Sequence, residues 1–437
     1  MRRGEDSREL ILDTLLLITR DGEYSHIALK QVLDKYQYLD KKERAFITRV
    51  VNGTLERMIE IDHIINHFSN VKVNKMKPVI RAILRSSVYQ IKYMDKVPNS
   101  AVCNEAVKLA GRKGFAGLKG FVNGVLRSIS RKIDSVAYPS RETDPEGYLS
   151  VRYSLPSWLS EQWLGECGME TAERMGKAFL EERPLCVRCN INQITREELI
   201  QRLKQEGVRA EADPFVPCAL YLTGYDHVAG LESFRQGLFY VQDISSMQAV
   251  LWAEPKEGDH IIDVCAAPGG KAIHLAEILR GTGSVEARDL TDYKIGLLEE
   301  NIERTGLANI RAVKWDATVF DREAEGKADI VMADLPCSGL GVLGKKPDLK
   351  YKMTPKKQEE LAKLQRKILS TVEAYVKPGG TLVYSTCTIH REENEENTAW
   401  FLLNHPDFQL KKAKQMLPGI DGGDGFYIAV LQRKSHG

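Results

Sequence analysis

Two cysteines stand where a thiol could do chemistry. Cys337 lies in "ADLPCSGLG" and Cys387 in "YSTCT", each just after a short apolar run and each flanked by small or hydroxylated residues. Runs of that kind read as buried strands, so both thiols fall at strand ends. A free cysteine is more often a small buried hydrophobe than a reagent, and Cys103, Cys167, Cys218 and Cys265 are read in that way. A pair of thiols beside a carboxylate, Asp334, asks for more. An ionised thiol is a strong nucleophile. Carbon 5 of a pyrimidine is too weak a nucleophile to attack a sulfonium methyl. Adding a thiolate to C6 makes C5 enamine-like, and a carboxyl near N3 assists. The C5 proton must then leave before the bond to C6 can break, which calls for a second group. Two thiols and one carboxyl meet these needs, and the residues alone leave open which thiol attacks. Enzymes that methylate an exocyclic amine often carry Asp/Asn-Pro-Pro-aromatic at this strand end. Here the residues are Asp334-Leu335-Pro336-Cys337.

Such chemistry needs a methyl donor, and one turn suits it. "CAAPGGKA" follows the apolar run "HIIDV". In open α/β sheets ligands bind beyond the carboxyl ends of the strands. Gly269 and Gly270, lacking a Cβ, let the backbone approach a ligand. The pattern is neither the dinucleotide G-x-G-x-x-G nor a P-loop, which disfavours a pyrophosphate cofactor. An acid about twenty residues on can meet ribose hydroxyls, and Asp289 in "EARDL" has that spacing. Asp316 in "WDAT" ends the next strand, where an adenine amino group could be met. Asp263 and Asp334 close the first and fourth strands. A single strand-end aspartate is commonly a capping group. Four in register favour a nucleoside that carries positive charge, and S-adenosylmethionine fits.

The elements that must position these residues follow from the rest of the chain. Its 437 residues exceed one typical core and suggest two or three domains. With 43% hydrophobic and 28% charged residues it reads as an ordinary folded protein. No apolar run reaches the roughly 18 residues of a membrane span. The opening "MRRGEDSREL" has no long apolar core of a secretory signal. Eight cysteines without such a signal point to reduced thiols and a cytoplasmic protein. The pair Cys186-x-x-Cys189 has no second pair to complete a four-ligand zinc site and sits within a strand, so no metal is expected. The net charge of +2 is unevenly spread. Residues 1–140 hold 25 Lys and Arg against 15 Asp and Glu, a surplus of ten, while the remainder has 37 against 45. A basic segment on a nearly neutral protein suggests a polyanionic partner.

Residues 1–132 read as helical, with apolar positions such as Leu10, Ile11, Leu15 and Ile18 on one face. Pro78 suits a first helical turn, and Asn99 or Ser100 a cap. The polar stretch 134–148, with Pro139, Pro145 and Gly147, reads as a linker. A small α/β module follows, with strands at 185–191 and 219–224 around a helix at 195–207. From about Gln236 strands and helices alternate, which implies a doubly wound sheet. The expected layout is a multidomain α and α/β chain: an all-α domain over 1–140, a linker and small α/β module over 141–235, and a Rossmann-like catalytic domain over 236–437.

"DVCAAPGGKA", "ADLPCSGLG" and "YSTCTIHREENEE", in that order and at these strand ends, resemble the RNA 5-methylcytosine methyltransferases of the Nol1/Nop2/Sun family. The resemblance implies a class I methyltransferase domain using S-adenosylmethionine. It assigns the nucleophile to Cys387 and release of the product to Cys337, with Asp334 at the base. It maps cofactor contacts to Cys265, Ala266, Ala267, Pro268, Gly269, Gly270, Lys271, Asp289, Asp316 and Asp334. Two positions depart from the usual pattern: Leu335 stands where Ala or Val is common, and Arg288 precedes the acid where an apolar residue is common. The segments "LDKKERAFITRVVNGTLER" and "PNSAVCNEAVKLAGRKGFAGLKGFVNGVLRSI" resemble the NusB-like RNA-binding domain. That fusion implies a bacterial small-subunit rRNA cytosine-C5 methyltransferase. Its partner would be 16S rRNA or a small-subunit assembly intermediate, engaged by a monomer without metal or membrane. The same chemistry on tRNA is disfavoured by the NusB-like domain. DNA methylation, where the Pro-Cys thiol attacks, is disfavoured by the extra Thr-Cys-Thr cysteine. A non-catalytic RNA-binding assembly factor would not need intact cofactor and thiol motifs.

Overall fold

The spacing of apolar residues in the first part of the chain produces helices α1 (Ser7–Thr19), α2 (Ser25–Lys35), α3 (Lys41–Glu56), α4 (Met58–Phe68), α5 (Pro78–Tyr93), α6 (Asn99–Arg112) and α7 (Lys119–Lys132) around one apolar core. The computed structural model describes residues 6–36 and 38–435; the first five residues, part of the stretch read above for a secretory signal, lie outside them. Leu10, Ile11, Leu15 and Ile18 are all buried on α1. Asp40 and Glu43 form a reciprocal capping box at the start of α3, and Pro78 occupies the first turn of α5. The cap of α6 differs from expectation. Asn99 and Ser100 are inside the helix, and the extended Pro98 precedes it with no side-chain cap.

Two further helices, α8 (Pro145–Tyr153) and α9 (Ser157–Leu180), were not legible as such. The stretch read as a linker turns helical at Pro145, because Asp144 accepts from Gly147 N and a proline at the first helical position needs no donor. Helix α9 is interrupted at Gly168, whose φ of 76° breaks its period. These helices cluster with α1–α7 in one unit, which also contains residues 343–352. Within it the Asp348 carboxylate accepts from Ser25 Oγ at 2.5 Å and Ser25 N at 3.1 Å.

The second unit comprises residues 182–342 and those from Met353 onward. It opens with an antiparallel sheet of β1 (Leu185–Cys189), β2 (Arg209–Ala212), β3 (Ala219–Thr223) and β4 (Phe239–Val241) in the order β2-β3-β1-β4, with α10 (Arg196–Gln205) and α11 (Glu232–Arg235) between strands in sequence. Cys186 and Cys189 lie three residues apart on β1, so they face opposite sides of the strand and pack in separate apolar clusters.

After α12 (Ile244–Ala253) the larger sheet begins. Its strands are β5 (His260–Asp263), β6 (Ser284–Asp289), β7 (Ile310–Lys314), β8 (Ala328–Asp334), β9 (Val376–Thr386), β10 (Phe408–Met416) and β11 (Phe426–Arg433). The helices along this stretch are α13 (Gly270–Ile278), α14 (Asp292–Thr305), α15 (Leu349–Lys352, in the first unit), α16 (Pro355–Val372) and α17 (Glu395–Asn404). The order is β10-β11-β9-β8-β5-β6-β7, parallel from β9 to β7, with β11 antiparallel to both its neighbours. Strand alternation splits the core: Ile261 packs with α13 and α14, and Ile262 with α16 and α17. Strand β9 runs through Pro378-Gly379-Gly380, well after α16 has ended at Val372. The connections diverge between β5 and β8, and the crevice beyond their carboxyl ends is where a doubly wound sheet binds ligands.

Candidate active site

The crevice is built from the ends of β5, β6, β8 and β9. Asp263 closes β5 and is almost completely buried. The chain then turns through Cys265–Gly269, with a cis peptide between Ala267 and Pro268. Gly269 adopts φ 114°, a conformation that favours glycine. A Cβ there would also come within 3.0 Å of Ile273 Cδ1, so a side chain at this position would be tight as well as strained. Asp289, at the end of β6, holds the turn: its Oδ2 accepts from Ala267 N at 3.0 Å, and its Oδ1 from Lys294 Nζ at 2.9 Å. Cys265 is only partly buried, in contrast to the core role expected of it, because it lies on the loop beyond the strand. Cys167 is likewise only partly buried, beside the break at Gly168, whereas Cys103 and Cys218 are core residues.

Lys271 and Asp334 meet across the crevice, with Nζ 2.7 Å from Oδ2. The other carboxylate oxygen of Asp334 accepts from Ser385 Oγ at 2.8 Å. Asp334 thus ties the turn after β5 to the ends of β8 and β9. Asp263 lies near this pair. Burial, reinforced by the charge of Asp334, pushes its carboxyl up to about 8. Its Oδ2 is buried and has no hydrogen-bond partner. Asp316 is engaged locally. It sits on the loop after β7, and its Oδ1 accepts from Thr318 N and Oγ1, each at 2.8 Å, the geometry of a local turn.

The two thiols, fifty residues apart in sequence, converge. Cys337 Sγ and Cys387 Sγ are 3.3 Å apart. The register of β8 on β9 brings this about, with Asp334 paired to Ser385 and Leu335 N donating to Ser385 O at 3.0 Å. The loops are also stitched beyond the strands: Gly341 N donates to Cys387 O at 3.1 Å and Gly425 N to Gly341 O at 2.8 Å. The hydrogen bond with Cys387 and burial push the Cys337 thiol well above its ordinary value. The two sequence departures have structural reasons. Leu335 fills the core under β8. Arg288 is buried, paired to Glu286 at 2.5 Å and Asp321 at 2.7 Å, and lies over the rings of Trp315 and Tyr375.

Sequence reasoning missed the supports of the turn and the loops. Arg188 of β1 is fully buried. It forms a two-pronged pair with Glu277 of α13, at 2.9 and 3.0 Å, and donates to Gly270 O at 2.8 Å. Tyr240 and Asn301 donate to Pro268 O at 2.9 and 3.1 Å. The small module therefore buttresses the glycine turn from behind. The signal was an arginine inside an apolar strand, "LCVRC". Glu393 of "HREENEE" is a second buried charge, beneath the thiol loops.

The site has acceptors for a cationic nucleoside: an unpartnered buried oxygen on Asp263, the adjacent Asp334 and the strand-end Asp289. Comparison with known proteins agrees. Residues 250–432 match the family described as 16S rRNA methyltransferase RsmB/F. Residues 5–131 match the NusB family, and 155–229 the ferredoxin-like domain of RsmF/B-like methyltransferases. The chain is 36% identical to the probable ribosomal RNA small subunit methyltransferase B of Bacillus subtilis, covering 98% of each chain. It is 30% identical to ribosomal RNA small subunit methyltransferase B of Klebsiella pneumoniae, over 99% of this chain and all of the other. The crystal structure of PH0851 aligns with a TM-score of 0.83 at 26% identity, covering 99% of this chain and 100% of that one. That of NSun6 from Pyrococcus horikoshii, solved with SFG, an analogue of S-adenosylmethionine, aligns at 0.58 and 26% identity over 64% of this chain and 99% of its own. S-adenosylmethionine is thus the cofactor. With helical, ferredoxin-like and methyltransferase parts in one order and full-length similarity on both sides, the chain belongs to the family of ribosomal RNA small subunit methyltransferase B.

Proposed function

We propose that this protein methylates C5 of a specific cytosine in 16S rRNA, free or within a small-subunit assembly intermediate. The observation that carries the reading is the meeting of Cys337 and Cys387 at 3.3 Å beside Asp334. C5 methylation of a pyrimidine needs a nucleophile at C6 and a second group to help remove the C5 proton, and two thiols at one ring can fill those roles. When bound, S-adenosylmethionine supplies an electrophilic methyl group, and the turn Cys265–Lys271 with Asp289, Asp316 and Asp334 would hold it. The Cys387 thiolate adds to C6, forming an S–C6 bond and moving the C5–C6 π pair onto C5, which takes the methyl. Asp334 steadies the ring near N3. Cys337 then helps remove the C5 proton. The electrons of that C–H bond restore the C5–C6 double bond and expel the Cys387 thiolate. The basic helical domain over 1–140 positions the RNA through its phosphates, which draw on charge more than sequence. Within the second unit, β1 of the small sheet supports the glycine turn through Arg188.

The test uses unmodified 16S rRNA, purified protein and methyl-labelled cofactor, with nucleosides identified by mass spectrometry. Label should appear as 5-methylcytidine at one position, and Cys387→Ala should abolish it. Cys337→Ala should leave an RNase-sensitive slow band on a denaturing gel. Label on another base, or full activity in Cys387→Ala, overturns the reading.

A further inference from the structure

Each reactive thiol is followed in the chain by a hydroxyl residue, Ser338 after Cys337 and Thr388 after Cys387. These hydroxyls meet, with Ser338 Oγ 2.7 Å from Thr388 Oγ1. Ser338 also donates twice to one carboxylate, from Oγ to Glu393 Oε1 at 2.5 Å and from its backbone N to Oε2 at 2.9 Å. Gln365 Nε2 donates to the same Oε2 at 3.0 Å and to Pro336 O at 2.9 Å. The backbone groups on either side of Cys337 are therefore held by one network. Asn394, the next residue after Glu393, does the same for Cys387. It donates to Thr388 O at 3.1 Å and accepts from Thr386 Oγ1 at 2.5 Å. Ser338, Gln365, Glu393 and Asn394 are at most 1% exposed.

A buried carboxylate is unfavourable unless its acceptor positions are filled. Packing alone would be served by an apolar side chain. A carboxylate here specifies where an amide, a hydroxyl and a backbone N–H point. We propose that Glu393 is a positioning residue for the reaction: its carboxylate sets the loop carrying Cys337 against the loop carrying Cys387, so that both sulfurs address the same ring. This rests on the two-thiol reading above. Glu393 makes and breaks no bond to substrate.

The network matters most at release. Once Cys387 is bonded to the ring, that bond keeps it in place. Cys337 has no such bond and depends on its loop. Loss of Glu393 should therefore slow proton removal more than attack, and covalent RNA adduct should accumulate. Misplacement on the order of 1 Å can slow a step about 100-fold. A defect that only loosened the fold would lower adduct and product together.

The experiment compares wild type, Cys337→Ala, Glu393→Gln and Ser338→Ala as full-length proteins. It measures turnover, cofactor affinity by calorimetry, and the fraction of protein in an RNase-sensitive slow band. Glu393→Gln and Ser338→Ala should bind cofactor as wild type does, turn over more slowly, and show a raised adduct fraction as Cys337→Ala does. Ser338→Ala removes one hydroxyl and guards against a folding failure of Glu393→Gln. If Cys337→Ala traps adduct while both network variants show none above wild type, Glu393 is a structural residue only and the inference is overturned. If Cys337→Ala traps nothing, the two-thiol reading fails and this inference falls with it.

Discussion

Replacing Asp263 by asparagine should uncouple cofactor binding from pH. Asp263 is buried at the end of β5, and its carboxyl titrates near 8 because burial, then the charge of Asp334, disfavours the anion. A cation placed against its unpartnered Oδ2 favours the anion, so binding the sulfonium cofactor should release a proton. At pH 7 a carboxyl titrating near 8 is about one-tenth ionised and at pH 9 about nine-tenths, so affinity should rise about tenfold between them, roughly 1.4 kcal/mol. Calorimetry at pH 7 in buffers of different ionisation enthalpy should report close to one proton released per cofactor, about 0.9. Asp263→Asn should abolish both the slope and the proton release. The unliganded protein gives a second reading. The folded-state value lies above the unfolded one, so folding takes up a proton between about 4 and 8, and this group's contribution lowers stability as pH rises through that window. Asn should flatten that fall. A buffer-independent binding enthalpy, or an unchanged pH slope in Asp263→Asn, would refute the assignment of Asp263 to the cofactor.

The remaining predictions concern the supports of the site. Arg188→Met should destabilise the protein by about 3–5 kcal/mol in urea unfolding, since Glu277 is left as an unpaired buried charge. Arg188→Met with Glu277→Leu should recover most of that loss, and a persistent full loss would show that the pair matters for more than its own charge balance. A Cβ on Gly341 would lie 1.9 Å from Gly425 O and 2.8 Å from Cys387 O. Gly341→Ala should therefore retain cofactor binding by calorimetry while losing methylation, on the order of 100-fold for a displaced thiol. Gly269→Ala places a side chain at φ 114° and should lower both melting temperature and cofactor affinity, with strain of about 1–3 kcal/mol. RNA binding measured by filter retention should weaken linearly in log–log form with added salt if the basic surplus of residues 1–140 contacts phosphates.

What could be read from the sequence was what repeats along it or ends a strand. Leu10, Ile11, Leu15 and Ile18 announce α1 through their spacing. Asp263 and Asp334 are visible because each closes an apolar run, and Asp289 because of its spacing from the glycine turn. The contact between Cys337 and Cys387 could be suspected from their matched settings, but its distance depends on the register of β8 on β9. Strand β10 escaped notice because "FQLKKAKQM" is an edge strand largely exposed along its length, so its pattern is polar. Helices α8 and α9 escaped because Pro139, Pro145 and Gly147 make the start look like loop and Gly168 breaks the period of the rest. Asp316 illustrates a limit of a different kind. Its position after β7 fits an adenine contact, but its engagement by Thr318 is a property of the folded loop alone. Arg188 and Glu393 were passed over because a single charge in an apolar or acidic stretch names no partner, and their partners are distant in sequence.

The place of β11 in the sheet bears on when this protein becomes active during its synthesis. Strand β11 is hydrogen-bonded between β9 and β10 and antiparallel to both, although it follows them in the chain. Gly425, just before it, holds Gly341 and through it the Cys387 loop. A nascent chain that already carries both thiols still lacks the strand that covers the open flank of β9. A polypeptide stalled or cleaved before Phe426–Arg433 is complete keeps the β8–β9 register and the Glu393 network but leaves the flank of β9 uncovered, and one cut before Gly425 also lacks its bond to Gly341, so its two thiols are held by fewer supports than in the finished protein.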